Sequence, residues 1–334
     1  MGDLRVYSPV VEGSGVIVLH EQLAQAIPDY SVRRLPPEVS FFPPLLALLD
    51  APAVPVTHAT PDLGPWLAHR DSALVATFHG YYLDAGYLAA APRLKRLFYQ
   101  RIMRPAMAAA LRRAHLATAV SAFTASLIQR DWGLGERLTV IRNGVDTARF
   151  TPPDSRRGRP AVKILFSGNP IGNKGFGDVL ALAEMLPPQA SIHYTRGMRR
   201  SARASVPELP GLVGMERVPH ARMPEIYRDC DILLLPTIRE GLSLAVLEAM
   251  ACGMPVVATD CASLPEQIVH GKGGFLFQRG NRHEMLGYLQ RLIESPGLRE
   301  EMGAFNRERV LREFSQEQMV RSYREVFAQA AGRG

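Results

Sequence analysis

The chain has 334 residues, 47% of them hydrophobic and 21% charged, with a formal net charge of +7. This is the composition of a globular protein long enough to build two hydrophobic cores. No run of 18 or more apolar residues occurs, so we expect no membrane-spanning helix. The first residues, MGDLRVYSPV, have an acid at position 3 and no charged-then-apolar pattern, so we expect no secretory signal. The positive charge favours anionic partners (nucleic acid, an acidic membrane or phosphorylated ligands) without choosing among them.

Short apolar runs alternate with helical patterns along the whole chain. In the first half, strands are predicted at 4–8, 53–60, 73–79, 115–121 and 138–143, and helices at 16–26, 93–112 and 122–131. In the second half, the predicted strands are 161–168, 190–195, 231–236 and 255–259, and the predicted helices are 176–186, 221–228, 243–251, 281–294 and 297–330. This alternation predicts an α/β fold with parallel sheets covered by helices on both faces.

The segment 150–160 (FTPPDSRRGRP) is rich in proline and charge and predicts a domain boundary. We expect a first domain over 1–155, a second over 156–315, and a C-terminal helix over 316–334 that packs back toward the first. Ligands of open α/β sheets bind at the carboxyl ends of the strands, so a cleft between the two domains is the expected site.

The three cysteines, Cys230, Cys252 and Cys261, lack C-x-x-C spacing. An odd, sparse set argues against a disulfide framework or a zinc site and fits a reducing cytoplasm. We therefore expect buried, inert thiols.

The stretch EGLSLAVLEAM (240–250) places two glutamates around a predicted helix start. Ser243 is a suitable N-cap, and the free amides and positive dipole end of that helix would attract phosphate. Glu240 before the helix and Glu248 within it would each accept hydrogen bonds from hydroxyl groups. This order matches a nucleotide diphosphate sugar, in which sugar, diphosphate and ribose follow one another. Two ordinary surface acids are the alternative interpretation.

The surrounding segment, DILLLPTIREGLSLAVLEAMACGMPVVATD (231–260), resembles the motif of the retaining glycosyltransferases of family 4, which have the GT-B fold. Shorter segments at 120–133, 140–152, 166–180 and 223–231 are also similar to the family's pattern. The resemblance implies two Rossmann-like domains that face each other across a cleft. It also implies transfer of a hexose from a nucleotide diphosphate sugar to an acceptor hydroxyl.

The resemblance implies roles for individual residues of the 240–248 segment. Glu240 would contact the hydroxyls of the donor sugar, and Glu248 would hold the ribose. The backbone amides of Gly241, Leu242 and Ser243 would lie near the sugar and the distal phosphate.

Two further side chains are implied as catalytic beside Glu240. Lys174 would pair with the diphosphate and help the nucleotide leave, because a fixed cation stabilises the charge that develops on the leaving phosphate. A solvated loop lysine is the alternative interpretation. His79, at the end of the predicted strand 73–79, would contact the donor sugar near the reaction centre. A structural role is the alternative for this histidine.

Two glycine-containing loops complete the implied donor site. Gly13, Ser14 and Gly15 lie between a predicted strand and helix, where the backbone can approach an anion, and a simple tight turn is the alternative. Gly168 and Asn169 stand where the family has Gly-Arg. The guanidinium that would clamp the phosphate is therefore absent, so either another base replaces it or Asn169 binds without charge.

Residues 85–130 contain no Asp or Glu, but basic side chains there are interleaved with apolar ones. The part at 93–113 either contacts an anionic membrane or presents an ordinary solvated helix face, and both interpretations stand. Pro105 would break or restart the helix. Nucleic acid is not an expected partner, because no recognised binding module accompanies the charge.

We therefore expect a retaining, metal-independent hexosyltransferase that needs no cofactor besides its nucleotide sugar donor. It would act in the cytoplasm or at the inner face of the membrane, on a lipid-linked or cell-envelope polysaccharide or glycolipid precursor. The D-x-D sequence at 229–231 is assigned no metal, because Asp231 belongs to the motif above. The alternatives are a non-catalytic sugar-nucleotide-binding subunit, which the absent arginine favours, and an epimerase or phosphorylase on the same fold.

Overall fold

The computed structural model describes residues 4–13, 15–41, 43–84, 87–88, 92–154, 161–168, 170, 172–195, 206–216 and 218–332. The chain divides into two compact units, Met1–Asn143 with Glu317–Gly334, and Gly144–Gln316. Each unit contains a six-stranded parallel sheet, which confirms the predicted α/β class. Residues 144–155, assigned to the first domain from the sequence, belong to the second unit.

The sheet of the first unit has the strand order β2-β1-β3-β4-β5-β6. Its strands are β1 (Val6–Val11), β2 (Tyr30–Leu35), β3 (Val56–Ala59), β4 (Ala73–Phe78), β5 (Leu116–Ala119) and β6 (Leu138–Val140). The hydrophobic pattern does not identify β2, because Ser31, Arg33 and Arg34 interrupt it. These side chains are tolerated since β2 is an edge strand whose central residues stay at least partly exposed.

The sheet of the second unit has the strand order β12-β11-β10-β7-β8-β9. Its strands are β7 (Val162–Phe166), β8 (Ala190–Thr195), β9 (Leu212–Met215), β10 (Ile232–Leu235), β11 (Val256–Thr259) and β12 (Gly274–Phe277). The central strands β10 and β11 are buried along their whole length, as expected where helices cover both faces. In this sheet the sequence analysis misses β9 and β12, which are short strands of four residues at the two edges.

The helices agree with most of the predicted segments. In chain order they are α1 (Val16–Ala26), α2 (Gly64–Leu67), α3 (Arg93–Phe98), α4 (Arg104–Arg113), α5 (Ala122–Trp132), α6 (Phe176–Ala183), α7 (Met223–Asp229), α8 (Leu244–Ala251), α9 (Leu264–Gln267), α10 (Arg282–Glu294), α11 (Pro296–Glu313) and α12 (Gln316–Ala331). No helix in the described part of the chain combines the length and apolar character needed to span a bilayer.

Two predicted helices are interrupted. The segment predicted at 93–112 passes through a π-helical turn, Tyr99–Met103, and restarts as α4, with Pro105 in its first turn, where a missing N–H is tolerated. The single helix predicted at 297–330 is wrong, because α11 and α12 are separate. Between them, the Val145 N–H donates to the Phe314 carbonyl (3.0 Å) and the Gln316 N–H donates to the Val145 carbonyl (3.1 Å). A distant segment thus takes the backbone groups that would continue the helix.

A layer of polar side chains crosses the core of the first unit. His20 Nδ1 lies 2.7 Å from Ser8 Oγ and 2.8 Å from the Tyr30 hydroxyl. That hydroxyl is 2.6 Å from His58 Nδ1, and His58 Nε2 is 2.6 Å from Thr77 Oγ1. The layer joins α1 to β1, β2, β3 and β4 through buried hydrogen bonds.

Helix α12 packs on this layer. The rings of Tyr323 and Phe327 lie 5.2 and 5.1 Å from the ring of His58, between centroids. Burial, with a smaller contribution from neighbouring histidines, lowers the pKa of His20 and His58 well below the ordinary value. Both imidazoles are therefore neutral at pH 7, and the layer carries hydrogen bonds without net charge.

Acidification should destabilise the first unit through His58. The unfolded state binds a proton near pH 6.5 while the folded state does not, so the free energy of unfolding falls as the pH falls below that value. Between pH 6 and 5, the free energy of unfolding of the wild type should fall more steeply than that of His58→Gln. We expect the two slopes to differ by about 1.4 kcal/mol per pH unit. Both tryptophans, Trp66 and Trp132, lie in this unit, so urea unfolding followed by tryptophan fluorescence measures it.

The matched control for this prediction is His283→Gln, which removes an exposed histidine of the second unit. Its pH dependence should equal that of the wild type. Equal slopes for wild type and His58→Gln would contradict the prediction.

Candidate functional site

The connection between β10 and α8 carries the 240–248 segment, and hydrogen bonds hold its backbone. Ser243 Oγ accepts from the Val246 N–H (3.4 Å), which confirms the predicted N-cap. The Gln267 side chain accepts from the Ser243 N–H and donates to its carbonyl, both at 2.9 Å. Ser263 Oγ donates to the Glu240 carbonyl (3.2 Å). The segment is therefore fixed from both sides before any ligand binds.

The loop after β7 lies directly against the end of β10. Gly175 has φ +73°, and a Cβ atom there would stand 1.9 Å from the Pro236 carbonyl oxygen. Only glycine permits this approach. It brings Lys174 Nζ to 2.6 Å from Glu240 Oε1, with the lysine side chain 32% exposed and the glutamate 12%. Two of the three predicted catalytic side chains thus form an ion pair.

Glu248 lies on α8 and is held by two groups from another part of the unit. Its Oε1 is 2.9 Å from His220 Nε2, and it accepts a hydrogen bond from the buried Tyr227 hydroxyl on α7. Ser167 Oγ lies 3.1 Å from the same hydroxyl oxygen. Burial, and then the charge of Glu248, raises the pKa of Tyr227 well above the ordinary value, so the phenol keeps its proton and remains a donor.

Gly168 links these two groups of residues. It follows Ser167 in the chain, and a Cβ atom at 168 would meet the stem of Lys174 at 3.9 Å. Gly241 is partly exposed, whereas Leu242 and Ser243 are buried. Asn169 lies outside the described residues. Within the second unit, the structure therefore brings Gly168, Lys174 and the 240–248 segment together.

The candidate residues of the first unit lie at the carboxyl edge of its own sheet. Gly13 follows β1 with φ +80°, Gly15 stands at the start of α1, and Ser14 lies outside the described residues. His79 follows β4, and burial lowers its pKa to about 4. Its ring centroid is 5.5 Å from that of His20, and its Nε2 has no hydrogen-bond partner among the described residues. His79 is therefore a neutral imidazole at pH 7 with a buried Nε2.

Several residues of the site are missed by sequence reasoning. The side chain of His220 holds Glu248, and the His220 carbonyl accepts from the Arg149 guanidinium at 2.6 Å. Tyr227 and Gln267 carry no signal of their own, since each looks like an ordinary residue of a helix. Their roles follow from contacts across the unit.

The two aspartates of the D-x-D sequence at 229–231 both have partners within the protein. Asp231 accepts from the Lys163 N–H (2.8 Å), and Asp229 pairs with the Lys163 ammonium (2.8 Å). No cluster of metal-ligating side chains occurs among the residues that the structure describes. Cys261 donates to the Thr237 carbonyl (3.4 Å), and burial, followed by the charge of Glu240, raises its pKa to about 12, so the thiol is inert.

Family models match both units. The model described as glycosyl transferases group 1 matches residues 215–309, which include the whole 240–248 segment. The model described as glycosyltransferase family 4 matches residues 12–149. The two matches cover different parts of the chain and name related families.

Curated relatives share parts of the chain. The alpha-maltose-1-phosphate synthase of Mycolicibacterium smegmatis is 29% identical over 227 residues, which are 58% of this chain and 58% of that protein. The D-inositol 3-phosphate glycosyltransferase of Mycolicibacterium gilvum is 34% identical over 156 residues, or 42% of this chain and 35% of that protein. The matches therefore span between about a third and three fifths of these relatives.

Solved structures share the fold over nearly the whole chain. The sucrose-phosphate synthase from Thermosynechococcus elongatus has a TM-score of 0.80 at 18% identity, covering 99% of this chain and 100% of that one. Anabaena HepE in complex with UDP and glucose also has a TM-score of 0.80, at 17% identity and 98% and 100% coverage. At these identities the likeness establishes the fold.

Replacing Gly175 by alanine should disrupt the loop that carries Lys174. The added Cβ would collide with the Pro236 carbonyl oxygen and force a non-glycine residue into positive φ, at a cost of about 3 kcal/mol. Faster hydrogen exchange in peptides of residues 161–182 and 231–251 would report this loss.

Gly177→Ala is the matched control, because a Cβ atom at this helical glycine meets nothing within 4 Å. Its stability should stay within about 0.5 kcal/mol of the wild type. Equal effects of the two substitutions would contradict the close approach at Gly175.

Proposed function

We propose a glycosyl transfer reaction for this chain, which belongs to the family 4 glycosyltransferases, the glycosyl transferases group 1, with the GT-B fold. It moves a hexose from a nucleotide diphosphate sugar to a hydroxyl group of an acceptor, with retention of anomeric configuration. The observation that carries this proposal is the arrangement of Lys174 and Glu240 beside the capped start of α8, with Glu248 held on the same helix.

Each part of the donor has a matching group in this arrangement. Lys174 supplies a cation for the diphosphate, and the start of α8 adds backbone N–H groups and a positive dipole end. Glu240 accepts hydrogen bonds from the sugar hydroxyls, and Glu248 accepts them from the ribose. The structures of HepE with UDP and with UDP-glucose support a nucleotide sugar as the donor class.

The chemistry of transfer separates two charges. Positive charge develops on the sugar ring, and negative charge develops on the departing diphosphate. Lys174 stabilises the departing group, because a preorganised cation is worth most where charge develops. The acceptor hydroxyl attacks from the side of the leaving phosphate, which takes its proton, so the reaction retains configuration without a protein base. His79, neutral at pH 7, contacts the sugar by hydrogen bonding.

Substitution of either charged group should abolish most of the activity. We expect Lys174→Met and Glu240→Gln to lower kcat by about 100-fold or more, since each removes a group that faces developing charge or the reacting sugar. Lys272→Met removes an exposed lysine of the same unit and should leave kcat unchanged. The assay measures nucleotide release from UDP-, GDP- and ADP-sugars, with and without an acceptor, and EDTA should not change the rate.

The outcomes distinguish the alternative functions. Release that requires an acceptor supports transfer, whereas release or isomerisation without one supports a phosphorylase or epimerase. Nucleotide binding without turnover under any condition supports a non-catalytic subunit and would overturn the proposal.

The surface of α3, the π-helical turn and α4 supports a lipid-linked or envelope acceptor at the cytoplasmic face of a membrane. Leu94, Leu97 and Ile102 are exposed by 83%, 52% and 41%. Exposed basic side chains accompany them, namely Arg93, Arg101, Arg104 and Arg112. No acidic residue lies between 85 and 130. Exposed apolar side chains among cations complement an anionic bilayer, which accepts both.

Binding to vesicles tests this surface. Leu94→Ser with Leu97→Ser should weaken binding to phosphatidylserine-containing vesicles at least about tenfold, because two leucines no longer enter the bilayer. Binding should also fall with added salt and be weak to neutral vesicles. Leu311→Ser, which removes a leucine exposed by 48% on α11, is the control and should bind like the wild type. Equal binding of all variants would exclude this surface.

A further inference from the structure

The two charged side chains of the candidate site are bound to each other. Lys174 Nζ and Glu240 Oε1 are 2.6 Å apart. Among the described residues, Lys174 is the hydrogen-bond partner of the Glu240 carboxylate. Ser263 also contacts Glu240, but it donates to the backbone carbonyl and not to the carboxylate. The carboxylate is 12% exposed, so without the lysine it would be a largely buried charge with little water to replace it.

We propose that the Lys174–Glu240 ion pair distinguishes an intact nucleotide sugar from the spent nucleoside diphosphate. This inference rests on the proposed function, in which the lysine serves the diphosphate and the glutamate serves the sugar. The pair has to open when either part of the donor binds. An intact nucleotide sugar offers a new partner to both Lys174 and Glu240, whereas a nucleoside diphosphate offers one to Lys174 alone.

An intact donor replaces both interactions. Its diphosphate takes the lysine, and its sugar hydroxyls donate to the glutamate, so neither charge is left unpaired. A nucleoside diphosphate takes the lysine and offers nothing to Glu240. The carboxylate then loses its cation and gains no other partner. A partly buried charge that loses its partner destabilises the complex. This penalty lowers the affinity for the nucleoside diphosphate but not for the intact donor.

The same comparison explains how the product would leave. After transfer, the sugar is gone and Glu240 competes with the diphosphate for Lys174. The loop does not have to rearrange for this exchange, because Gly175 keeps it against the end of β10. Glu240 is therefore a specificity-determining residue that favours the loaded donor at entry and displaces the nucleotide at exit.

Glu240→Gln should reverse the preference. The amide cannot form an ion pair, so Lys174 is free for the diphosphate. We expect Glu240→Gln to bind the nucleoside diphosphate about threefold to tenfold more tightly than the wild type, the range expected for a partly exposed ion pair. The same variant should bind the intact donor more weakly. Calorimetry with UDP, GDP and ADP selects the nucleotide that binds the wild type best, and its glucose ester is the donor.

A double-mutant cycle with Lys174→Met separates the ion pair from simple charge repulsion. If Glu240 acts by holding the lysine, Glu240→Gln should change nucleotide affinity by less than about twofold when Lys174 is already absent. If the carboxylate only repels phosphate, the gain persists in that background and the proposal is overturned. Glu240→Ala also releases the lysine, so a folding defect in one variant does not remove the test.

Asp178→Asn is the matched control. Asp178 lies in the first turn of α6, after the same loop, and forms its own 2.7 Å pair with Arg282. Its substitution should change nucleotide affinity by less than about twofold. Unchanged or weaker nucleotide binding by both Glu240→Gln and Glu240→Ala overturns the inference while leaving the proposed function intact. Failure of the wild type to bind any of the nucleotides or donors overturns both.

Discussion

The contact between Gly175 and the Pro236 carbonyl oxygen is the constraint on which the candidate site depends. A side chain at position 175 would occupy the space of that oxygen, so the loop after β7 can lie against the end of β10 only because glycine stands there. The contact brings together residues that are 66 positions apart in the chain, Lys174 and Glu240. One backbone approach thus sets a cation and an acid side by side.

The two glutamates of the site are both largely buried, yet their partners suit different tasks. Glu240 faces a cation, which an anionic ligand can take away, so its pairing changes when a ligand arrives. Glu248 faces His220 and a tyrosine that keeps its proton. Glu248 therefore has two side-chain partners that belong to the same unit. The exchange proposed above opens the Lys174–Glu240 pair while Glu248 keeps the partners that hold it.

The core of the first unit contains a layer of polar side chains. Buried parallel sheets are normally apolar inside, but here two histidines, a tyrosine and hydroxyl groups cross the core as a hydrogen-bonded layer. The imidazoles are neutral, and each residue of the layer makes at least one buried hydrogen bond, although His20 Nε2 has no partner among the described residues. It also gives α12 a surface to pack on, which is why the last helix of the chain belongs with the first residues.

The sequence by itself determined the parallel α/β architecture, the cap at Ser243 and the residue types available for phosphate and hydroxyl recognition. Burial on both faces demands continuous apolar strands, and a cap is a local contact, so both leave a trace in neighbouring residues. Tertiary structure decided the edge strands β2, β9 and β12 and the break before α12. It also decided the partners of each acid, His220 and Tyr227 for Glu248 and Lys174 for Glu240. These features rest on contacts between residues far apart in the chain. No local pattern contains them, because strand order and close backbone approach exist only once the sheet has formed.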